Sequence, residues 1–238
     1  MKKILLIITV VFISHTASAQ LFTKEKVTNN IDNIDQKLLS WGFFLGFNSY
    51  DFQFTYHQDK ADILSESTTG FSVGLISDLR INNHLNLRFE PGLHISQRNL
   101  MYDESYFAGT TFNSSDLLRE VKSTYIHFPL LLKVSTKRIN NFKPFILGGF
   151  STALNLSSNE ENPDDNSVGQ FRTKKSMFFY ELGFGIDFYT EWFKFTPSIR
   201  GLFALNDEIV KDTDPNSPWT GNINTMKTRG VFINFTFQ

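Results

Sequence analysis

The chain has 238 residues, carries 23 Lys plus Arg against 24 Asp plus Glu, and contains no cysteine. Disulfide frameworks, thiolate nucleophiles, Cys-based zinc sites and a lipidated N-terminal Cys are thereby excluded, and scattered cations on a nearly neutral chain give no electrostatic footprint for nucleic acid. Phe alone supplies 26 residues while the mean hydropathy is -0.20, a combination expected of strands with one greasy face.

In chain order, Lys2 and Lys3, an apolar run from Ile4 to Ile13 and then Ala17-Ser18-Ala19 have the layout of a secretory signal peptide, so residues 1–19 are expected to be removed before Gln20. That run is too short to cross a bilayer comfortably as a helix, and no later stretch is long enough to do so. Residues 20–40 are expected to form a periplasmic leader. Ile31, Ile34 and Leu38 fall at helical spacing in it, which suits either a short amphipathic helix contacting a protein partner or a flexible entry to the next domain.

From residue 41 onward the dominant period is two. Between Trp41 and Tyr56 the aromatic face changes parity, from Phe43, Leu45 and Phe47 to Tyr50, Phe52 and Phe54, which predicts a bulge near Asn48-Ser49. Phe71, Val73, Leu75 and Leu79 then alternate with Ser72, Gly74, Asp78 and Arg80. Leu85, Leu87, Phe89, Leu93 and Ile95 alternate with Asn86, Arg88, Glu90, His94 and Ser96. Further strands are predicted around Ile126 to Val134, with Tyr125, His127 and Lys133 on the second face, and around Phe142 to Leu156. Phe178 to Phe188 follows, with Glu181, Gly183, Gly185 and Asp187 on the second face. The last two are Phe193 to Leu205, with Lys194, Thr196, Ser198 and Arg200 opposed, and Val231 to Phe237. Pro91, Pro129 and Pro197 lie inside these runs and mark distortions.

Eight strands result, joined alternately by long polar segments and by short turns near Asn82-Asn83, Arg138 to Asn141 and Glu191-Trp192. That alternation is the pattern of an eight-stranded antiparallel transmembrane β-barrel spanning 41–238, with short periplasmic turns, long extracellular loops and both termini in the periplasm. A lipocalin-like barrel shares the period with the apolar face inward. Eight strands enclose a lumen that side chains just fill, so this many large apolar residues must face outer-membrane lipid. The lumen is then expected to hold Asp78, Glu90, Glu181 and Asp187 against Arg80, Arg88, Lys133 and Arg200, a structural network of paired charges in a plugged barrel. Gly74, Gly92, Gly183 and Gly185 on the same face suit a crowded interior.

Catalytic, cofactor-binding and metal residues are not expected. His127 with Ser123 and Glu120, or His94 with Ser96 and Glu90, could form a hydrolase-like trio, but no motif fixes these groups together and each has ready work as a hydrogen-bonder in the lumen or at its rim. The acidic stretch from Asn159 to Asp165 has Ca²⁺ ligand chemistry, though external loops carry solvated carboxylates as a rule. Gly183-Phe184-Gly185 lies within a strand and is no phosphate loop.

Tyr125-Ile126-His127-Phe128-Pro129-Leu130-Leu131-Leu132-Lys133, Lys143-Pro144-Phe145 with Gly148-Gly149, and Glu181 to Asp187 resemble three successive strands of the outer-membrane β-barrel family common in Bacteroidetes. Asp35-Gln36-Lys37, Trp41 to Asn48 and Asp51-Phe52 are similar to the opening of the PorT (SprT) family. The terminal Phe235-Thr236-Phe237-Gln238 approximates the aromatic-ended strand by which such barrels are recognised for assembly. The PorT resemblance implies a non-enzymatic accessory component of type IX secretion, which exports proteases, adhesins and gliding proteins, with partners in the secretion machinery. A generic adhesion or structural barrel acting through its loops, and a lipid-modifying barrel enzyme, are the alternatives.

Overall fold

The computed structural model describes residues 37–109, 111–162, 166 and 171–238. Ten strands form one antiparallel sheet: β1 (Leu39–Tyr56), β2 (Leu64–Ser67), β3 (Thr69–Arg80), β4 (Leu85–Phe89), β5 (Gly92–Met101), β6 (Leu118–Ser135), β7 (Phe142–Asn155), β8 (Ser176–Tyr189), β9 (Lys194–Ala204) and β10 (Ile223–Phe237). β1 pairs with β3 on one side and β10 on the other, which closes the sheet into a barrel.

Two of the strand breaks are local. Ser77↔Phe89 and Gly74↔Gly92 keep one register, so β4 and β5 are a single strand interrupted at Glu90-Pro91, where proline cannot donate to the ladder. Between Ser67↔Arg98 and Phe71↔Ile95 the register slips by one residue. The extra residue is Thr68, whose N–H and hydroxyl both donate to the Gln97 carbonyl, as in a β-bulge. Counting each interrupted pair once gives the eight strands that the periodicity predicts.

The bulge expected at Asn48-Ser49 is not there. β1 pairs with β10 without a break from Phe43↔Phe237 to Thr55↔Thr225. The parity of the aromatics changes because the environment inverts along a regular strand. Near the start of β1, Trp41, Phe43, Leu45 and Phe47 are exposed on the outer wall. Further along, Gln53 and Thr55 take the outer positions, with Ser49 and Asp51 half-buried among them, while Tyr50 and Phe52 point into the barrel and are buried. β6 does the same: Leu130, Leu132 and Val134 are exposed at one end, Glu120 and Lys122 at the other, where Val121 and Tyr125 fill the inside.

The exposed apolar residues therefore form a band around one part of the barrel. On β8 it runs from Phe178 to Phe188, a rise of about 25 Å for a strand tilted by about 40°, the height of a lipid-facing belt. Above the band the barrel continues as a collar with a polar outside and an apolar inside. β1 and β6 are 18 residues each because they traverse both.

The three short connections, 81–84, 136–141 and 190–193, lie at one end with the start of β1 and the end of β10, where Lys194 and Gln238 exchange backbone hydrogen bonds. The long connections 57–63, 102–117, 156–175 and 205–222 lie at the collar end. The one at 102–117 contains two short 3-10 turns, Glu104–Phe107 and Ser114–Leu117, the first capped by Asp103.

Candidate functional site

The sequence-predicted lumen charges converge in the half of the barrel nearer the turns. The Arg88 guanidinium donates to Asp78 Oδ2 at 3.0 Å and to Glu90 Oε1 at 3.3 Å. Arg200 bridges Glu90 and, at 2.9 Å, Glu181. His127 Nε2 lies 3.2 Å from Glu181 and 2.9 Å from the Ser151 hydroxyl. Beside this chain Lys133 Nζ donates to Asp187 Oδ2 at 2.5 Å and the Thr196 hydroxyl to Asp187 Oδ1 at 2.8 Å. None of Asp78, Arg88, Glu90, Lys133, Glu181, Asp187 and Arg200 exceeds 2% exposure. The eighth expected member, Arg80, stands apart at the turn-end mouth, half-buried, with a guanidinium nitrogen on the Asn83 side chain. The charges reach one another because their positions share the inward parity of five strands, and burial obliges them to pair.

Aromatic rings seal the network. Phe145 lies under both Lys133, 4.2 Å from its centroid, and Arg88 at 5.4 Å. Phe44 crosses the lumen against Gly74 and Gly92, where a Cβ would stand 2.5 and 2.7 Å from its ring atoms. Glycine is what lets the ring lie there. His94 and His127 pack edge to face with centroids 4.9 Å apart, against Phe232 and Phe179.

A second polar layer above these rings was not anticipated from sequence. Arg98, fully buried, donates to Thr228 at 2.9 Å, Ser123 at 2.5 Å and Tyr125 at 3.1 Å, and its guanidinium lies 3.8 Å from the Phe52 ring centroid. Glu208, from the loop 205–222, descends into the lumen and accepts from Tyr125 at 2.6 Å and from Thr228. Continuing the parity of His94 and Ser96 would have found Arg98. Glu208 sits on a loop and has no periodic signal.

The collar is closed by an apolar plug. Phe52, Leu100, Val121, Ile223 and Met226 from the strands pack with Ile63, Tyr102, Phe107, Phe171 and Ile209 from the loops. Asp212 fastens the loops over it, accepting from Arg172 at 3.2 Å, the Asn166 backbone at 3.0 Å and Ser217 at 2.5 Å. Among the described residues these side chains pack across the interior of the collar.

The hydrolase-like trios do not assemble. Glu120 points to the outer wall, Ser123 serves Arg98, and His127 turns instead to Ser151 and Glu181. His94 Nδ1 meets Ser72 at 3.2 Å rather than Ser96. Both imidazoles are 1% exposed in mid-barrel, while His57 lies in the loop 57–63. The stretch from Asn159 to Asp165 is only partly described. Among the described residues no group of three His, Cys, Asp or Glu is placed to hold a metal, and Glu160 accepts from the Lys175 backbone. Gly183 to Gly185 lies inside β8, as expected. Of the three leader residues proposed as a partner contact, Leu38 is exposed at the start of β1, while Ile31 and Ile34 lie outside the described residues, as do the signal segment and most of the leader.

Recesses open at both ends. A polar one of about 300 Å³ lies among the loops, lined by His57, Lys60, Tyr106 and Asn222. A smaller basic one at the turn-end mouth includes Lys37, Arg80, Lys143 and Lys194.

Among solved structures the chain is similar to OprG from Pseudomonas aeruginosa, with 13% identity, a TM-score of 0.43 and coverage of 84% of this chain and 93% of that one. Neisserial surface protein A gives 12%, 0.40, 84% and 97%. The attachment invasion locus protein Ail of Yersinia pestis, in complex with the heparin analogue sucrose octasulfate, gives 12%, 0.38, 83% and 96%. No curated protein matches the sequence. The family model described as outer membrane protein beta-barrel domain matches residues 19–210, and with an all-antiparallel closed barrel wrapped in an exposed apolar band, this chain belongs to that outer-membrane β-barrel family.

Proposed function

We propose that this protein is a non-enzymatic, non-conducting outer-membrane barrel that acts as an accessory component of a protein-secretion machine of the type IX class. The observation that carries the first part is the packing of the lumen: among the described residues a buried ion-pair network, a second polar layer around Arg98 and Glu208 and an apolar plug follow one another along it. A barrel so packed offers neither a pore nor a substrate cleft, and its work is left to its surfaces. The secretion role rests on the resemblance of Trp41 to Asn48 and Asp51-Phe52 to the PorT family opening. In this reading the turns and both termini face the periplasm, and the network of Asp78, Arg88, Glu90, Lys133, Glu181, Asp187 and Arg200 is structural, with Arg80 at its periplasmic edge.

The test is deletion of the gene in its native host, with secreted cargo quantified by mass spectrometry in medium and periplasm. Cargo trapped in the periplasm and released again by complementation is the expected result; normal export would remove the secretion role and leave the barrel. A second reading, adhesion or ligand binding through the extracellular loops, is favoured by the 300 Å³ recess around His57, Lys60, Tyr106 and Asn222. Replacement of the loop 57–63 without effect on cell attachment would count against it.

A further inference from the structure

We propose that the turn-end mouth of the barrel, lined by Lys37, Lys143 and Lys194, receives the carboxylates of an acidic polypeptide segment from the periplasmic side. The inference rests on the orientation adopted above and names the chemistry of the partner.

The mouth gathers cations from separate elements: Lys37 precedes β1, Lys143 is the second residue of β7 and Lys194 opens β9. The carboxylates in the same wall are already engaged. Asp78 accepts from Asn86 on one oxygen and Arg88 on the other, and Asp187 from Thr196 and Lys133. Among the described residues none of Lys37, Lys143 and Lys194 makes an ion pair; Lys143 donates only to the Asn83 carbonyl, at 3.3 Å. Lys194 is only 8% exposed, so its charge is held in the recess and does not trail into solvent. Like charges are costly to gather in a concave low-dielectric site, and such a site focuses its field on an arriving anion. At the opposite end the loops carry an excess of carboxylates, Asp59, Asp62, Asp103, Glu104 and Asp214 among them, so the attraction is confined to the turn end.

Size and position select the ligand. The recess is small, about 30 Å³, a scale that suits a single anionic head group. The mouth lies inside the ring of strands, whereas the exposed apolar band is on the outer wall. Ser40 and Asn82 also line the recess.

The test uses the folded barrel in uncharged detergent micelles, titrated calorimetrically with a soluble ten-residue peptide of alternating glutamate and glycine, and separately with sodium phosphate. The peptide is expected to bind in about 50 mM NaCl and to weaken at least tenfold in about 500 mM NaCl. The triple variant Lys37→Gln, Lys143→Gln, Lys194→Gln should bind at least tenfold more weakly, while Lys122→Gln with Lys227→Gln on the outer wall should bind as the parent does. Should the triple variant fail to fold, Lys37→Glu, at an exposed position, replaces it with the same expectation. Peptide binding unchanged by these substitutions, no peptide binding at all, or phosphate binding as tightly as the peptide would each overturn the proposal. Cargo export does not enter these readouts, so the binding site can fail while the secretion role stands, and the reverse.

Discussion

Arg200 holds two carboxylates, Glu90 and Glu181, and all three are buried. Removing one member of a buried ionic cluster leaves the others uncompensated, and the cost exceeds that of a surface pair. Arg200→Met is therefore expected to lower stability by about 3–5 kcal/mol, read from urea unfolding in micelles; a loss below about 1 kcal/mol would show that the lumen is wet and the pair screened. Gly74 tests packing in place of charge. A Cβ there meets the Phe44 ring at 2.5 Å and the Pro91 carbonyl at 2.4 Å, so Gly74→Ala should cost about 1–3 kcal/mol. Phe44→Leu in the same chain should recover part of that loss, which a double-mutant cycle would measure. The polar identity of the lumen face was legible from residues such as Asp78, Arg88 and Glu181, because period two assigns every alternate position to one face. Which carboxylate meets which cation was not, since partners such as Glu90 and Arg200 are brought together only by closure of the barrel.

β1 is the element on which the membrane boundary can be located. Its outer positions change from Phe43, Leu45 and Phe47 to Gln53 and Thr55 with no break in pairing to β10. Leu45→Lys should then destabilise the folded barrel in lipid by about 2–4 kcal/mol, and Gln53→Lys, on the same face of the same strand, by about 0–1 kcal/mol. Equal effects at both positions would mean that the belt extends over the whole strand. The sequence pattern alone admits two explanations for the parity change, a bulge or an inversion of environment, because both exchange which face carries the aromatics. The real bulge at Thr68 went unseen. It sits between polar residues, Glu66, Ser67, Thr69 and Gly70, where a one-residue slip leaves no hydrophobic trace.

At the scale of the molecule, the barrel has two coaxial parts with opposite polarity: a lower part, apolar outside and ionic inside, and a collar, polar outside and apolar inside. The collar and its loops form a small conventional core, fastened by Asp212 to Arg172, Asn166 and Ser217. Asp212→Ala should release the loops without unfolding the strands. Protease added to the barrel in micelles should cut 205–222 in the variant faster than in the parent, while the band-shift on gels that distinguishes folded from boiled barrel stays the same. Loss of that shift would mean that the collar and the belt fold as one unit. With the plug intact, reconstitution in planar bilayers should give no unit conductance; a steady step would contradict the closed lumen.

The sequence by itself determined the strand count, the alternation of short turns and long loops, the inward face of each belt strand and the exclusion of lumen-crowding apolar residues from the lower barrel, because these follow from a strict two-residue period and from volume. Only the tertiary structure decided the pairing of the lumen charges, the descent of Glu208 into the barrel, the burial of Arg98 beneath Phe52 and the inversion at the collar. Those features depend on contacts between residues far apart in the chain, and on where along a strand lipid gives way to water; a local period carries neither.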